Sequence, residues 1–408
     1  MTHPDDQTRD AMRVEPDYRN PSGTPEGFPD DIEPITSYTG GRTTVPDYPA
    51  RGLTTAELDG AFDDPAHGEP GRDRIGIHLI WELVLLVGAA LLAFAVARTN
   101  GALSSANLHA LLVEAAILGV LALGAGLSLR AGTPNLAVGP IFVLAGLLFA
   151  DRSSTGFNAA SGAAVGAAAI CGLALALVVT FLHVPAWAAS LGAAAGVAVW
   201  MTRLPANALM VTTYHPESNA IWWFVAFAVV AVVAGLLGTL RPVRRALGRF
   251  RPVADPALRR GGPAAVVAAL ALLFSSVLAG VAGVAFTMWR GVGSSSGSAT
   301  YGGIALGIVL LAGTSAFGRR GGVFGTLLAT GAVVLAMRYV EVHRWRGGDV
   351  MVIAAAIGVG LLVTRLVERF GRPQGGFVDD PAGELSWAGP RPGNWSRDLP
   401  AADDPGWS

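Results

Sequence analysis

Apolar residues in this chain gather into ten runs, separated by stretches rich in glycine, proline and arginine. The runs cover about 75–97, 108–129, 136–150, 161–182, 186–202, 220–240, 263–288, 302–317, 322–341 and 349–367. Hydrocarbon cannot satisfy a free backbone N–H or C=O, so the pattern predicts membrane-spanning α-helices. The third, fifth and eighth runs fall short of the twenty or so residues that cross ~30 Å of hydrocarbon. In transporters such short or interrupted segments often line the path. The predicted fold is therefore an all-α polytopic membrane protein with about ten transmembrane helices, spanning 74–372.

The stretch 301–336 joins two of these runs through a turn of Gly318, Arg319, Arg320, Gly321 and Gly322. Glycine supplies the positive φ angles that a tight turn needs. Two arginines in so short a turn place it on the cytoplasmic side by the positive-inside bias. The small residues Gly313 and Gly325 beside it predict close helix packing. With alternating crossings, fourteen arginines of the membrane domain fall on the cytoplasmic side and seven on the other. That excess predicts cytoplasmic N- and C-termini.

Charge divides the chain in three. Residues 1–73 hold 16 acidic and 6 basic side chains, 373–408 hold 6 and 2, and 74–372 hold 8 and 21. The two ends are rich in Pro, Gly and Asp without apolar periodicity, which predicts disordered acidic cytoplasmic tails. The N-terminus has no basic stretch leading into an apolar core, so no cleavable secretory signal is expected and the first run acts as the insertion signal.

Absences narrow the chemistry. All 29 basic residues are arginine. A phosphate-binding loop of the common type needs a lysine at the β- and γ-phosphates, so ATP, if it drives this protein, is bound by another chain. The single cysteine, Cys171, lies in an apolar run and reads as a buried hydrophobe. No His, Cys and carboxylate grouping has metal-ligand spacing, and no nucleophile–base pair is suggested. The expectation is a non-enzyme with no catalytic residue, metal or cofactor of its own.

The loop 241–262 carries seven arginines. Asp255 and Pro256 suit the cap and first turn of a short basic helix, which could contact a partner or lipid headgroups. Ionisable residues inside the membrane are the strongest site candidates. Glu114 reads equally as lining a polar path or as bonding a neighbouring helix. Glu82, nearer the cytoplasmic end, can snorkel, so a structural role is expected of it rather than a path-lining one. Arg338 and Glu341, three apart, are expected to pair. His183 reads as a helix-end cap.

Three stretches in order resemble one family. They are Ala115-Ala-Ile-Leu-Gly-Val-Leu-Ala-Leu-Gly-Ala-Gly-Leu-Ser-Leu129 with Asn135-Leu-Ala-Val-Gly139, then Val184-Pro-Ala-Trp-Ala-Ala-Ser-Leu-Gly192. The third is Ala312-Gly-Thr-Ser-Ala-Phe-Gly-Arg-Arg-Gly-Gly-Val-Phe-Gly-Thr-Leu-Leu328, preceded by Leu278-Ala-Gly-Val-Ala-Gly283. Together they resemble the permease subunit of bacterial ABC importers of the ribose, simple-sugar and branched-chain amino acid type. Asn135 stands where that family carries aspartate. Asp255-Pro-Ala-Leu-Arg-Arg-Gly-Gly262 is a shortened form of its coupling segment.

The resemblance implies an ATP-driven importer in the bacterial plasma membrane, moving a sugar or similar small polar solute by alternating access. It implies a cytoplasmic ABC ATPase, a second permease chain (identical or different) and an external solute-binding protein as partners, and no nucleic acid. Glu114, Asn135 and Trp187 become path candidates; Asp255, Pro256, Arg259, Arg260 and Gly261 become ATPase-coupling candidates. Two other readings stand beside it: a proton- or ion-coupled transporter using Glu114, and a membrane scaffold whose tails recruit partners.

Overall fold

The computed structural model describes residues 75–371, except 100, 212–213, 241–242, 244–261 and 316–321. The tails, the turn residues Gly318 and Gly321, and the coupling candidates Asp255, Pro256, Arg259, Arg260 and Gly261 lie outside the described residues.

The described residues form α1 (Ile75–Ala97), α2 (Ser105–Arg130), α3 (Val138–Asp151), α4 (Phe157–Phe181) and α5 (Ala186–Met201). They continue with α6 (Ala220–Leu237), α7 (Gly262–Arg290), α8 (Ser298–Leu311), α9 (Gly325–Val342) and α10 (Gly348–Gly371). Each falls on one of the ten apolar runs. Seven contain apolar stretches long enough to cross a membrane. The other three, α3, α5 and α8, have 14, 16 and 14 residues. At 1.5 Å per residue, 14 residues reach about 21 Å, short of the ~30 Å of hydrocarbon. The chain is an all-α membrane protein.

Local signals set the helix ends. Gly156 precedes α4 with φ of 98° and Gly297 precedes α8 with φ of 86°. Helix α4 stops before Val184-Pro185, because proline disfavours helical geometry in the residue ahead of it. His183 there takes φ of 55°, and its Nδ1 lies 3.0 Å from the Phe181 carbonyl oxygen, as a helix-end cap should. Helix α9 ends with Arg344 at φ of 54°, where the Trp345 N–H donates to the Val340 carbonyl and that of Arg344 to Glu341. This is the hydrogen-bond pattern of a left-handed helix cap, a position that favours glycine.

Helix α7 is the axis of the fold. It packs against α2, α3 and α4, and α8 packs against α10, α2 and α3. Backbones come close where side chains vanish: a Cβ on Gly283 would overlap the Phe142 carbonyl. Small residues of this kind replace lipid between helices with direct van der Waals contact. The outer faces are different. Leu83, Leu91 and Phe94 of α1 and Ile221, Trp222 and Val229 of α6 are all more than half exposed, as lipid-facing side chains are.

A two-stranded antiparallel ribbon, β1 (Asn207–Leu209) with β2 (Val292–Ser294), ties the segment after α5 to the segment after α7. The Val211 N–H donates to Ser153 Oγ at 3.0 Å and Trp289 Nε1–H to Glu217 Oε1 at 3.0 Å. These contacts gather the loops after α3, α5 and α7 on one face, called here the ribbon face.

Candidate functional site

Opposite the ribbon, neighbouring residues of α1 hold the two sides of the α8–α9 turn. Trp81 Nε1–H donates to the Leu311 carbonyl at 2.8 Å. Glu82 Oε1 accepts from the N–H groups of Phe324 at 2.6 Å and Gly325 at 3.0 Å. One residue therefore satisfies a carbonyl at the end of α8, and the next satisfies the free donors at the start of α9. A carboxylate also opposes the positive N-terminal end of a helix dipole. Glu82 is 5% exposed, so it does not snorkel. The Phe324 and Gly325 amides give it partners where it stands.

The path to that geometry runs through small residues. A Cβ on Gly322 would overlap the Glu82 carboxylate. Gly313 takes φ of 81° beside the Trp81 ring, and a Cβ on Gly325 would press on the Ala312 carbonyl. This is the clamp face.

Between the two faces, the first turns of α3 and α8 meet. A Cβ on Gly139 would overlap the Ser298 carbonyl and the Gly302 amide. The turn leading into α3 is fastened to the middle of α7 by Asn135. Its Nδ2 donates to Ser275 Oγ and Ser276 Oγ, both at 3.2 Å, and its Oδ1 accepts from the Ala137 N–H at 3.0 Å. Its own N–H donates to Ser128 Oγ at 3.2 Å. Asn135 is 3% exposed with its amide group fully used, which is the arrangement a buried polar side chain requires. It acts here as a fastener for the junction.

Toward the ribbon face, ionisable groups from several helices converge. Glu114 of α2 is partly buried, and its carboxylate makes no hydrogen bond among the described residues. The charges acting on it are those of Glu341, Arg290, Asp349 and Arg338, from α7, α9 and α10. Tyr301 of α8 shares the field of Arg290, Glu114 and Asp349. Arg338 Nη1 donates to Glu341 Oε2 at 2.8 Å, the expected pair, while its buried Nε has no hydrogen-bond partner among the described residues. The Tyr301 ring packs on Phe142 and Phe286, with centroids 4.6 and 5.1 Å apart.

A cleft of about 390 Å³ adjoins this group, lined by residues that include Thr300, Glu341, Arg344, Trp345 and Asp349. That volume suits a small molecule. This cluster of ionisable groups, called the chamber below, and the cleft that shares Glu341 and Asp349 with it are the candidate site.

Comparison with protein-family models, curated proteins and solved structures finds no match. Among the described residues no group of three or more His, Cys, Asp or Glu could hold a metal ion. What the chamber offers is hydrogen bonding and charge of both signs, which suits holding a polar solute.

The three path candidates do not come together. Glu114 lies in the chamber and Asn135 at the α3 junction. Trp187 opens α5, is 55% exposed, and sits on a helix that packs on α4 and α3, neither of which supplies the chamber's ionisable groups. Ser190 links the last two, donating to the carbonyls of Pro134 and Trp187 at 3.3 and 3.0 Å. Sequence reasoning missed Trp81, Ser275 and Ser276. The adjacent serines inside an apolar run were the available signal, since buried hydroxyls need a partner.

Proposed function

We propose that this chain is the membrane permease subunit of an ATP-driven importer for a sugar or similar small polar solute. The observation that carries the reading is the junction of α3 and α8. Two helices too short to cross alone start against one another beside α7, next to a chamber of ionisable groups. Discontinuous helices of this kind form the solute sites of many transporters, where unwound backbone and helix ends face the ligand. Ionisable groups are costly within a membrane and concentrate along solute paths.

Alternation of ten segments, with both termini cytoplasmic, puts the loops after α3, α5 and α7 outside. Their mutual hydrogen bonds support that alternation. The clamp then holds the cytoplasmic α8–α9 turn. Solute would enter from the ribbon face, meet the cleft and the Glu114 chamber, and leave after rearrangement about the α3–α8 junction. ATP would be bound by a partner ATPase acting on the loop 241–262, with a second permease chain and an external binding protein completing the assembly in a bacterial plasma membrane.

The free carboxylate of Glu114, set among charges of both signs, favours one second reading. In it Glu114 carries a proton and the chain is a secondary transporter. Depletion of a panel of small polar solutes from the medium separates the two, comparing cells with and without the chain. Depletion that needs the chain and survives collapse of the proton gradient by an ionophore supports the ATP-driven reading. Depletion abolished by the ionophore and by Glu114→Gln supports the other, and a chain that changes no solute level overturns both.

A further inference from the structure

The ribbon-face segment before α6 displays two large apolar side chains on a fixed backbone. Leu209 is 79% exposed and Val211 70% exposed. Neither hangs on a free loop. Leu209 pairs with Val292, and the Met210 N–H donates to the Gly291 carbonyl at 3.0 Å. Val292 lies two residues beyond the end of α7, so the start of β2, which Leu209 faces, is within roughly 7 Å of that helix end at about 3.3 Å per residue. The Val211 N–H bonds Ser153 Oγ, and Ser153 stands two residues beyond the end of α3. The segment is thereby held at the level where α3 and α7 stop.

The ribbon also has a direction. A Cβ on Gly293 of β2 would press on Gly146, Leu147 and Ala150, so β2 lies against α3, and β1 packs on the same helix less extensively. The helices on either side of the segment carry exposed Val199 and Trp200 at the last turn of α5, and exposed Ile221 and Trp222 at the first turn of α6. Tryptophans at such positions mark the boundary between hydrocarbon and water. Leu209 and Val211 lie on the segment that joins these two boundary turns.

We infer that β1 is an interfacial anchor that seats Leu209 and Val211 in the headgroup–acyl boundary of a lipid bilayer. Water would disfavour two such exposed side chains, whereas that boundary accepts them at a depth of about 5–10 Å. Through β2 the anchor fixes the end of α7, and with it Arg290 of the chamber, relative to the membrane. The inference rests on the chain being membrane-embedded and is independent of what it transports.

The test uses the full chain with Cys171→Ala, carrying a nitroxide on Leu209→Cys or, separately, on Val211→Cys, in phosphatidylcholine–phosphatidylglycerol vesicles. Collisions with dissolved oxygen and with a water-soluble nickel chelate are compared. Val230→Cys on the exposed face of α6 gives the lipid reference, and Arg346→Cys gives the aqueous one. The anchor predicts an oxygen-to-nickel ratio at 209 and 211 several-fold above that at 346. Ratios equal to that at 346 at both positions would overturn it and leave the patch to a protein partner, which these vesicles lack.

Discussion

Glu82 Oε1 accepts the N–H of Phe324 at 2.6 Å, joining α1 to the start of α9 across 242 residues of sequence. The bond makes α1 part of the clamp-face turn. Removing the acceptor strands two amide donors, at a cost of about 1–3 kcal/mol each if they stay buried. Glu82→Leu should therefore lower the thermal unfolding midpoint in detergent clearly. Glu82→Gln keeps an acceptor oxygen but loses the charge facing the helix dipole, and should lie between Leu and the natural chain.

Gly322 makes room for that carboxylate, so the two positions should be coupled. Gly322→Ala should destabilise the natural chain. Its cost should shrink in a Glu82→Ala background, where the atoms it strikes are gone. A double-mutant cycle on unfolding midpoints should give a coupling of about 0.5–3 kcal/mol, the range for residues in contact. Strict additivity would mean that Gly322 is needed for the turn's backbone rather than for Glu82.

At the α3–α8 junction, Gly139 lies against backbone that cannot move aside as a side chain can. Gly139→Ala should cost at least the ~1–3 kcal/mol of an overpacked core. Gly192→Ala on α5, where a Cβ would meet nothing within 4 Å, should be nearly neutral by the same unfolding measurement.

Asn135 donates to two serine hydroxyls and accepts one amide. Asn135→Leu leaves these groups without their partner and should cost about 1–3 kcal/mol per stranded group. Ser275→Ala or Ser276→Ala, each removing one of two acceptors, should cost less. Intact solute depletion with a lowered unfolding midpoint in these variants would mark Asn135 as a fastener; lost depletion with unchanged stability would return it to the solute path.

The elements were readable from sequence because hydrocarbon leaves few alternatives: uninterrupted apolar runs became helices at the expected places, including the three short ones. The pairing of Arg338 with Glu341 was readable too, since three residues on one helix share a face. Glu82 was not, because its partners are backbone amides 242 residues away whose position only packing creates. The same holds for Asn135 with Ser275 and Ser276, and for Glu114, whose charged neighbours arrive on other helices. Spacing along one helix speaks of that helix alone.

The most direct test of the permease reading is co-purification from membranes in mild detergent. The intact chain is compared with a variant carrying Arg259→Ala and Arg260→Ala. An ATPase subunit should accompany the intact chain and be lost, or much reduced, with the variant while the chain itself stays folded. An intact, folded chain that brings no ATPase with it would mean that this protein is not the permease subunit of an ATP-driven importer.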